Sequence, residues 1–88
     1  MEIVYKSKAL LDVKFWKKSG QVNIQNKITN LIHDIEKHPK TGIGQPEQLK
    51  FELSGLWSRR IDKGNRLIYE IFEDRIEILS LRGHYFDK

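Results

Sequence analysis

The sequence predicts an α+β domain in which two N-terminal helices pack on a mainly antiparallel sheet, with elements in the order β-α-α-β-β-β-β. Three observations carry this expectation. Apolar residues between Ile24 and Ile35 recur at helical spacing, the chain from Leu49 onward alternates with a period of two, and the turn sequences Ser54-Gly55, Lys63-Gly64-Asn65 and Glu73-Asp74 cut that alternating half into strands. Helices grouped first and hairpins afterwards imply a helical layer covering one face of a sheet. The 88 residues form one domain, 1–88, with room for a single modest core.

Ile3, Val4 and Tyr5 are β-branched or aromatic and predict the first strand, with Ser7 as N-cap of the helix that follows. In that helix Leu11 and Phe15 lie four apart, flanked by Leu10 and Trp16, and are expected to face the core; Ser19-Gly20 stops it. The second helix buries a stripe of Ile24, Ile28, Leu31, Ile32 and Ile35, leaves Lys27, Asp34 and Glu36 outside, and ends before Pro39. A short link makes the two helices an antiparallel hairpin.

Two glycines and two prolines make the stretch from Pro39 to Glu47 a loop. After it, Leu49, Phe51 and Leu53 alternate with Lys50 and Glu52 as a strand. Trp57, Arg59 and Ile61 then alternate with Ser58, Arg60 and Asp62, and strands Arg66 to Phe72 and Arg75 to Arg82 complete the sheet. Arg59 and Arg60 are adjacent and must point to opposite faces, so at most one of them reaches the face free of helices. If the last strand runs through Gly83, Arg82 and His84 share a face.

Composition narrows the function. No run approaches the roughly 18 apolar residues of a membrane span, and Met1-Glu2-Ile3-Val4 has no basic-then-apolar signal, so a cytoplasmic protein is expected. Absence of cysteine removes disulfide and thiolate chemistry, and three unpaired histidines argue against zinc; neither a metal nor a cofactor is expected. His33 and His38 read as structural, and Trp57 as core or interface. The net charge is +4, which suits a polyanionic partner or simply a lysine-rich surface. Distribution is more telling: ten of the eleven lysines lie at or before Lys63, whereas all five arginines lie from Arg59 onward. Arginine is the better bidentate phosphate ligand, so the phosphate site is sought in the C-terminal third.

The sequence thus offers Glu47 on a loop, arginines on neighbouring strands, and His84-Tyr85 after the last strand. These are the parts of a metal-independent ribonuclease. RNA carries its own nucleophile, the 2′-hydroxyl, so the protein must supply a base, an acid for the leaving 5′-oxygen, and cations for the charged transition state. Glu47 suits the base, His84 the acid because imidazole titrates near neutrality, and Arg66 with Arg60 the phosphate clamp. Tyr85 suits stacking on a base or a hydrogen bond to phosphate. Each has a plainer reading: Glu47 as a surface acid, Tyr85 as a cap on the core, and Arg59, Arg66 or Arg82 as half of a cross-strand salt bridge with Glu52, Glu70 or Glu77.

Pro46-Glu47-Gln48-Leu49-Lys50, Leu53-Ser54-Gly55-Leu56-Trp57-Ser58-Arg59-Arg60-Ile61, Arg66-Leu67-Ile68-Tyr69 and His84-Tyr85 together resemble the YoeB (Txe) family of bacterial toxins. The likeness extends through the N-terminal strand, the helix pair and the Gly-x-Gly-x-Pro-Glu loop. It implies a RelE-like fold related to microbial ribonucleases, cleavage of mRNA in the ribosomal A site with arrest of translation, and a YefM-type antitoxin as partner; a homodimer is compatible with it. By motif, the general base falls on Glu47, the transition-state arginine on Arg66, the acid and its supporting tyrosine on His84 and Tyr85, and secondary RNA contacts on Lys50 and Arg60. Choosing Arg66 over Arg59 or Arg82 rests on the resemblance. Two features depart from the family pattern: Gly83 stands before the histidine, and Phe86-Asp87-Lys88 follow the tyrosine. Competing functions are a non-enzymatic nucleic-acid-binding or repressor-partner domain, and a toxin of the same fold directed at DNA gyrase.

Overall fold

Isoleucine and leucine at every third or fourth position give the second helix a continuous buried face: Ile28, Leu31, Ile32 and Ile35 are all in the core and Ile24 packs against it. Each such side chain contributes about 1.5–3 kcal/mol. The computed structural model describes residues 1–84. Within them the order is β1 (Glu2–Tyr5), α1 (Ser7–Ser19), α2 (Val22–Lys37), β2 (Glu47–Gln48), a 3₁₀ turn (Phe51–Leu53), β3 (Leu56–Arg60), β4 (Arg66–Ile71) and β5 (Arg75–Ser80). The five strands form one sheet in the order β1-β5-β4-β3-β2, with β1 parallel to β5 and the other pairs antiparallel. The expected α+β architecture is present, with Leu67, Tyr69, Ile76 and Ile78 of the sheet and both helices in one core.

Several local expectations are overturned. Lys6, not Ser7, occupies the N-cap position of α1, and no side chain caps that end. Leu11 is 64 % exposed, and Leu10 and Phe15 are exposed too. The buried face of α1 is instead made of Ala9, Asp12 and Trp16, so of the four residues named from the sequence only Trp16 faces inward. Asp12 faces in because its carboxylate accepts the Leu81 N–H at 2.9 Å. Leu49 to Leu53 is not a strand: the paired register with β3 covers Glu47 and Gln48, a last bond from the Leu49 N–H to the Leu56 carbonyl at 2.9 Å ends it, and the chain coils into the 3₁₀ turn with Phe51 at φ 58 and 85 % exposed. The alternation that suggested a strand is therefore not spent on a sheet face. Finally, β5 ends at Ser80. A bulge between the Ile68/Ser80 and Tyr69/Ile78 pairs resets the alternation, so Ile78 and Leu81, three apart, are both buried.

One side chain joins the sheet to the loop after α2. Arg59 is 0 % exposed and all five of its N–H groups find acceptors. Nη1 donates to Asp34 Oδ2 at 2.6 Å and to the Ile43 carbonyl at 2.8 Å, and Nη2 to the carbonyls of His38 at 2.6 Å and Thr41 at 2.9 Å. Nε donates to the Tyr69 hydroxyl at 3.1 Å, which itself donates to the Pro39 carbonyl at 2.7 Å. Asp34 also accepts the Ile43 N–H at 3.1 Å. Asp34 was expected on the outer face of α2, and a cross-strand salt bridge with a strand acid was one reading of Arg59; the two pair with each other instead. Gly42 is required beside them, because a Cβ there would collide with the Asp34 carboxylate and its φ is 114°.

The Arg59 hydrogen bond, with the Ile43 N–H, holds the Asp34 carboxyl below the usual aspartate range, and burial pushes the Tyr69 phenol up. A lowered carboxylate pKa gives stability that is fully present above the unfolded value of about 4 and is lost as pH falls from there through the folded value. Replacing Asp34 by Ala leaves a buried guanidinium without its counter-charge, so urea denaturation at pH 7 should show a loss of about 3 kcal/mol. The difference from wild type should shrink as the pH is lowered below about 4.

Candidate functional site

Directly paired residues in a sheet project from the same face. Glu47 pairs with Ser58 and Ser58 with Ile68, while Arg60 pairs with Arg66. The register thus puts Glu47, Ser58, Arg60, Arg66 and Ile68 on one face, and Arg59, Leu67 and Tyr69 on the other, against the helices. The adjacent arginines divide as parity requires: Arg59 is sealed inside and Arg60 is exposed. Glu47 and Arg60 are diagonal neighbours across β2 and β3, about 7–8 Å apart.

Glu47 is exposed, and its place is set by the loop before it. Arg59 ties down the carbonyls of residues 38, 41 and 43. The Arg60 N–H then donates to the Gly44 carbonyl at 2.7 Å, delivering Pro46 and Glu47 to the edge of β3. Lys50 lies beyond the paired part of β2, exposed at the start of the 3₁₀ turn, so no sheet pairing brings it to the others.

Arg60 and Arg66 face each other directly, an arrangement of like charges that destabilises a sheet unless an anion lies between them. Among the described residues neither forms a salt bridge, and the buried Nε of Arg66 has no hydrogen-bond partner. Leaving such a donor unsatisfied costs about 1–3 kcal/mol. The strand acid Glu77 pairs with Arg75 at 3.0 Å. Arg82 is engaged elsewhere, its guanidinium 3.5 Å above the Phe15 ring.

The segment after β5 is carried back to Arg66 by two sets of bonds. At Leu81 the N–H donates to Asp12 and the carbonyl accepts the Trp16 indole N–H at 2.9 Å, so α1 holds both sides of that residue. Lys8 pairs with Asp12 at 2.7 Å. Two residues on, the Gly83 carbonyl accepts the Arg66 N–H at 2.9 Å, and half-buried His84 follows directly. Gly83 has φ 85 and turns the chain, so the expectation that Arg82 and His84 share a strand face does not hold. Tyr85, also assigned to the site, lies outside the described residues.

The structure therefore brings Glu47, Arg60 and Arg66 to one face and joins His84 to Arg66 through the backbone. Asp12 and Asn65 escaped the sequence reading. The Lys8/Asp12 spacing of four was visible as a helix pair, but nothing local indicated that Asp12 reaches a strand 69 residues away. Among the described residues no group of three His, Cys, Asp or Glu is arranged to hold a metal ion, and no helix is long and apolar enough to cross a membrane.

An α-helical hairpin laid on this five-stranded sheet, with a basic free face, defines a RelE-like toxin domain. Residues 5–85 match the YoeB-like toxins of bacterial type II toxin-antitoxin systems, and the chain belongs to that family. Toxin YoeB of Streptomyces coelicolor is 41 % identical over 85 residues, covering 97 % of this chain and all of that protein. A YoeB/ParE toxin from Agrobacterium tumefaciens superposes with a TM-score of 0.91 at 33 % identity, covering 97 % of this chain and 100 % of that one. The Staphylococcus aureus YoeB, 34 % identical over 97 % of this chain and 98 % of its own, matches with a TM-score of 0.87 as a dimer. It matches at 0.85 in a heterotetrameric YoeB-YefM complex, with the same identity and coverage.

Removing the Asp12 carboxylate leaves the buried Leu81 N–H without an acceptor. Asp12→Ala should lower stability by about 2 kcal/mol and accelerate hydrogen exchange at Leu81, measured by NMR, more than at the Ile35 amide in α2.

Proposed function

We propose that this toxin is a ribosome-dependent mRNA endoribonuclease that cleaves in the A site and so stops translation. The observation that carries the reading is the register of β2, β3 and β4: it sets a carboxylate diagonally from a facing pair of arginines that form no salt bridge among the described residues, one of which holds the backbone just before a histidine.

In this reading Glu47 accepts the proton of the 2′-hydroxyl as that oxygen attacks the adjacent phosphorus. The bond to the 5′-oxygen breaks, and His84 delivers a proton to that oxygen, leaving a 2′,3′-cyclic phosphate and a 5′-hydroxyl. Arg66 and Arg60 hold the charge that gathers on the phosphorane, Arg66 with a buried donor that has no partner among the described residues. Lys50 contributes a contact to the RNA backbone, and Tyr85 keeps the supporting role that the family resemblance implies. No step requires a cofactor or metal.

The ribosome supplies what this small open site lacks, the alignment of the 2′-hydroxyl with the leaving oxygen, worth about 7–11 kcal/mol in well-oriented systems. Its partners are accordingly the ribosome with its mRNA, a YefM-type antitoxin like that bound by the S. aureus relative, and a second copy of the chain as in that relative's dimer. The site of action is the cytoplasm, where translation occurs.

Glu47→Ala and His84→Gln should each reduce transcript cleavage in a translation extract at least about 100-fold while thermal melts stay cooperative; full cleavage by both would refute the mechanism. Primer extension on transcripts after induction should place the cuts within translated codons. Uncleaved transcripts with growth arrest would point to a binding or gyrase-directed toxin. Naked RNA at low enzyme concentration should be cleaved negligibly.

A further inference from the structure

We propose that Asn65 is a positioning residue for His84, acting through Gly83; this rests on the ribonuclease reading above. Gly83 directly precedes the acid. Its φ is 85, and a side chain there would meet nothing within 4 Å, so packing does not determine its conformation. Hydrogen bonds do. The Gly83 N–H donates to Asn65 Oδ1 at 2.8 Å, while its carbonyl accepts the Arg66 N–H at 2.9 Å. These groups belong to successive peptide planes, 82–83 and 83–84. Fixing both planes fixes the two dihedrals between them, and with them the place of the His84 Cα from which the imidazole is carried.

Asn65 is itself held for this task. Its Nδ2 donates to Asp62 Oδ1 at 3.0 Å, an oxygen that also accepts the Gly64 N–H at 2.9 Å. Its backbone carbonyl accepts the N–H groups of Ile61 at 3.0 Å and Asp62 at 3.2 Å. Because the carboxylate takes the amide's donor end, the acceptor end must face Gly83. The hairpin turn between β3 and β4 thus presents an oriented acceptor one residue before Arg66, so the phosphate ligand and the acid share one rigid support. The turn composition of Lys63-Gly64-Asn65 accounts for the hairpin but not for a side chain reaching 18 residues along the chain.

Asn65→Ala tests this on programmed ribosomes with the full-length chain. The cleavage rate at saturating ribosomes should fall about 10- to 100-fold, the scale of misplacing a reacting group by about 1 Å, with the half-saturating ribosome concentration unchanged. In a His84→Gln background, where no acid remains to be positioned, the same change should alter residual cleavage less than about twofold. Asp62→Ala, which frees the Asn65 amide but leaves its acceptor, should show a smaller loss with the same dependence on His84. Hydrogen exchange at Gly83 should accelerate in Asn65→Ala. Equal cleavage by wild type and Asn65→Ala, an equal loss in both backgrounds, or unchanged Gly83 exchange would each overturn the proposal. A wild type that does not cleave on ribosomes overturns the ribonuclease reading instead, and the Gly83 exchange still decides whether the clamp exists.

Discussion

The buried guanidinium of Arg59 is the constraint on which the rest of this molecule depends. A charge at the centre of an 88-residue domain is costly to desolvate. Here the cost is offset by five acceptors drawn from α2, β4 and the loop after α2. Three of them are main-chain carbonyls, so one side chain sets the path of a glycine- and proline-rich segment that has no regular hydrogen bonding of its own. Arg60, its neighbour, reaches back to Gly44 through the backbone. Glu47 is delivered to the sheet edge by these contacts.

The same strand then shows why its two arginines are not equivalent. Strand parity sends one inward to organise the loop and the other outward to face Arg66. The inward charge is fully compensated; among the described residues the outward pair is not, and Arg66 there keeps a buried donor without a partner. A sheet that satisfies one arginine completely and leaves its neighbours unsatisfied concentrates its electrostatic strain on the free face. That is the pattern expected where an anionic ligand completes the structure.

The segment after β5 follows a similar logic. Its conformation is specified residue by residue from outside, by Asp12 and Trp16 at Leu81 and by Asn65 and Arg66 at Gly83. Helix α1 consequently spends its inward face partly on hydrogen bonding. The apolar spacing of Leu11 and Phe15, which are exposed, therefore does not mark the buried face, whereas Asp12 is 5 % exposed. The 3₁₀ turn at Phe51–Leu53 misled in the opposite sense: period-two alternation was present, but no partner strand extends that far.

By itself the sequence determined the fold class, the helical stripe of α2, the hairpin turns of the C-terminal half, and the separation of Arg59 from Arg60, because each is written in local periodicity or parity. It also supplied the motifs that mark the family. Tertiary structure alone decided that β1 joins β5 in parallel, that Asp34 turns inward to Arg59, that a bulge brings Leu81 beneath α1, and that Asn65 reaches Gly83. Those features depend on partners 18 to 73 positions away and on hydrogen bonds whose satisfaction can be judged only once the core has closed, so no local pattern in the chain encodes them.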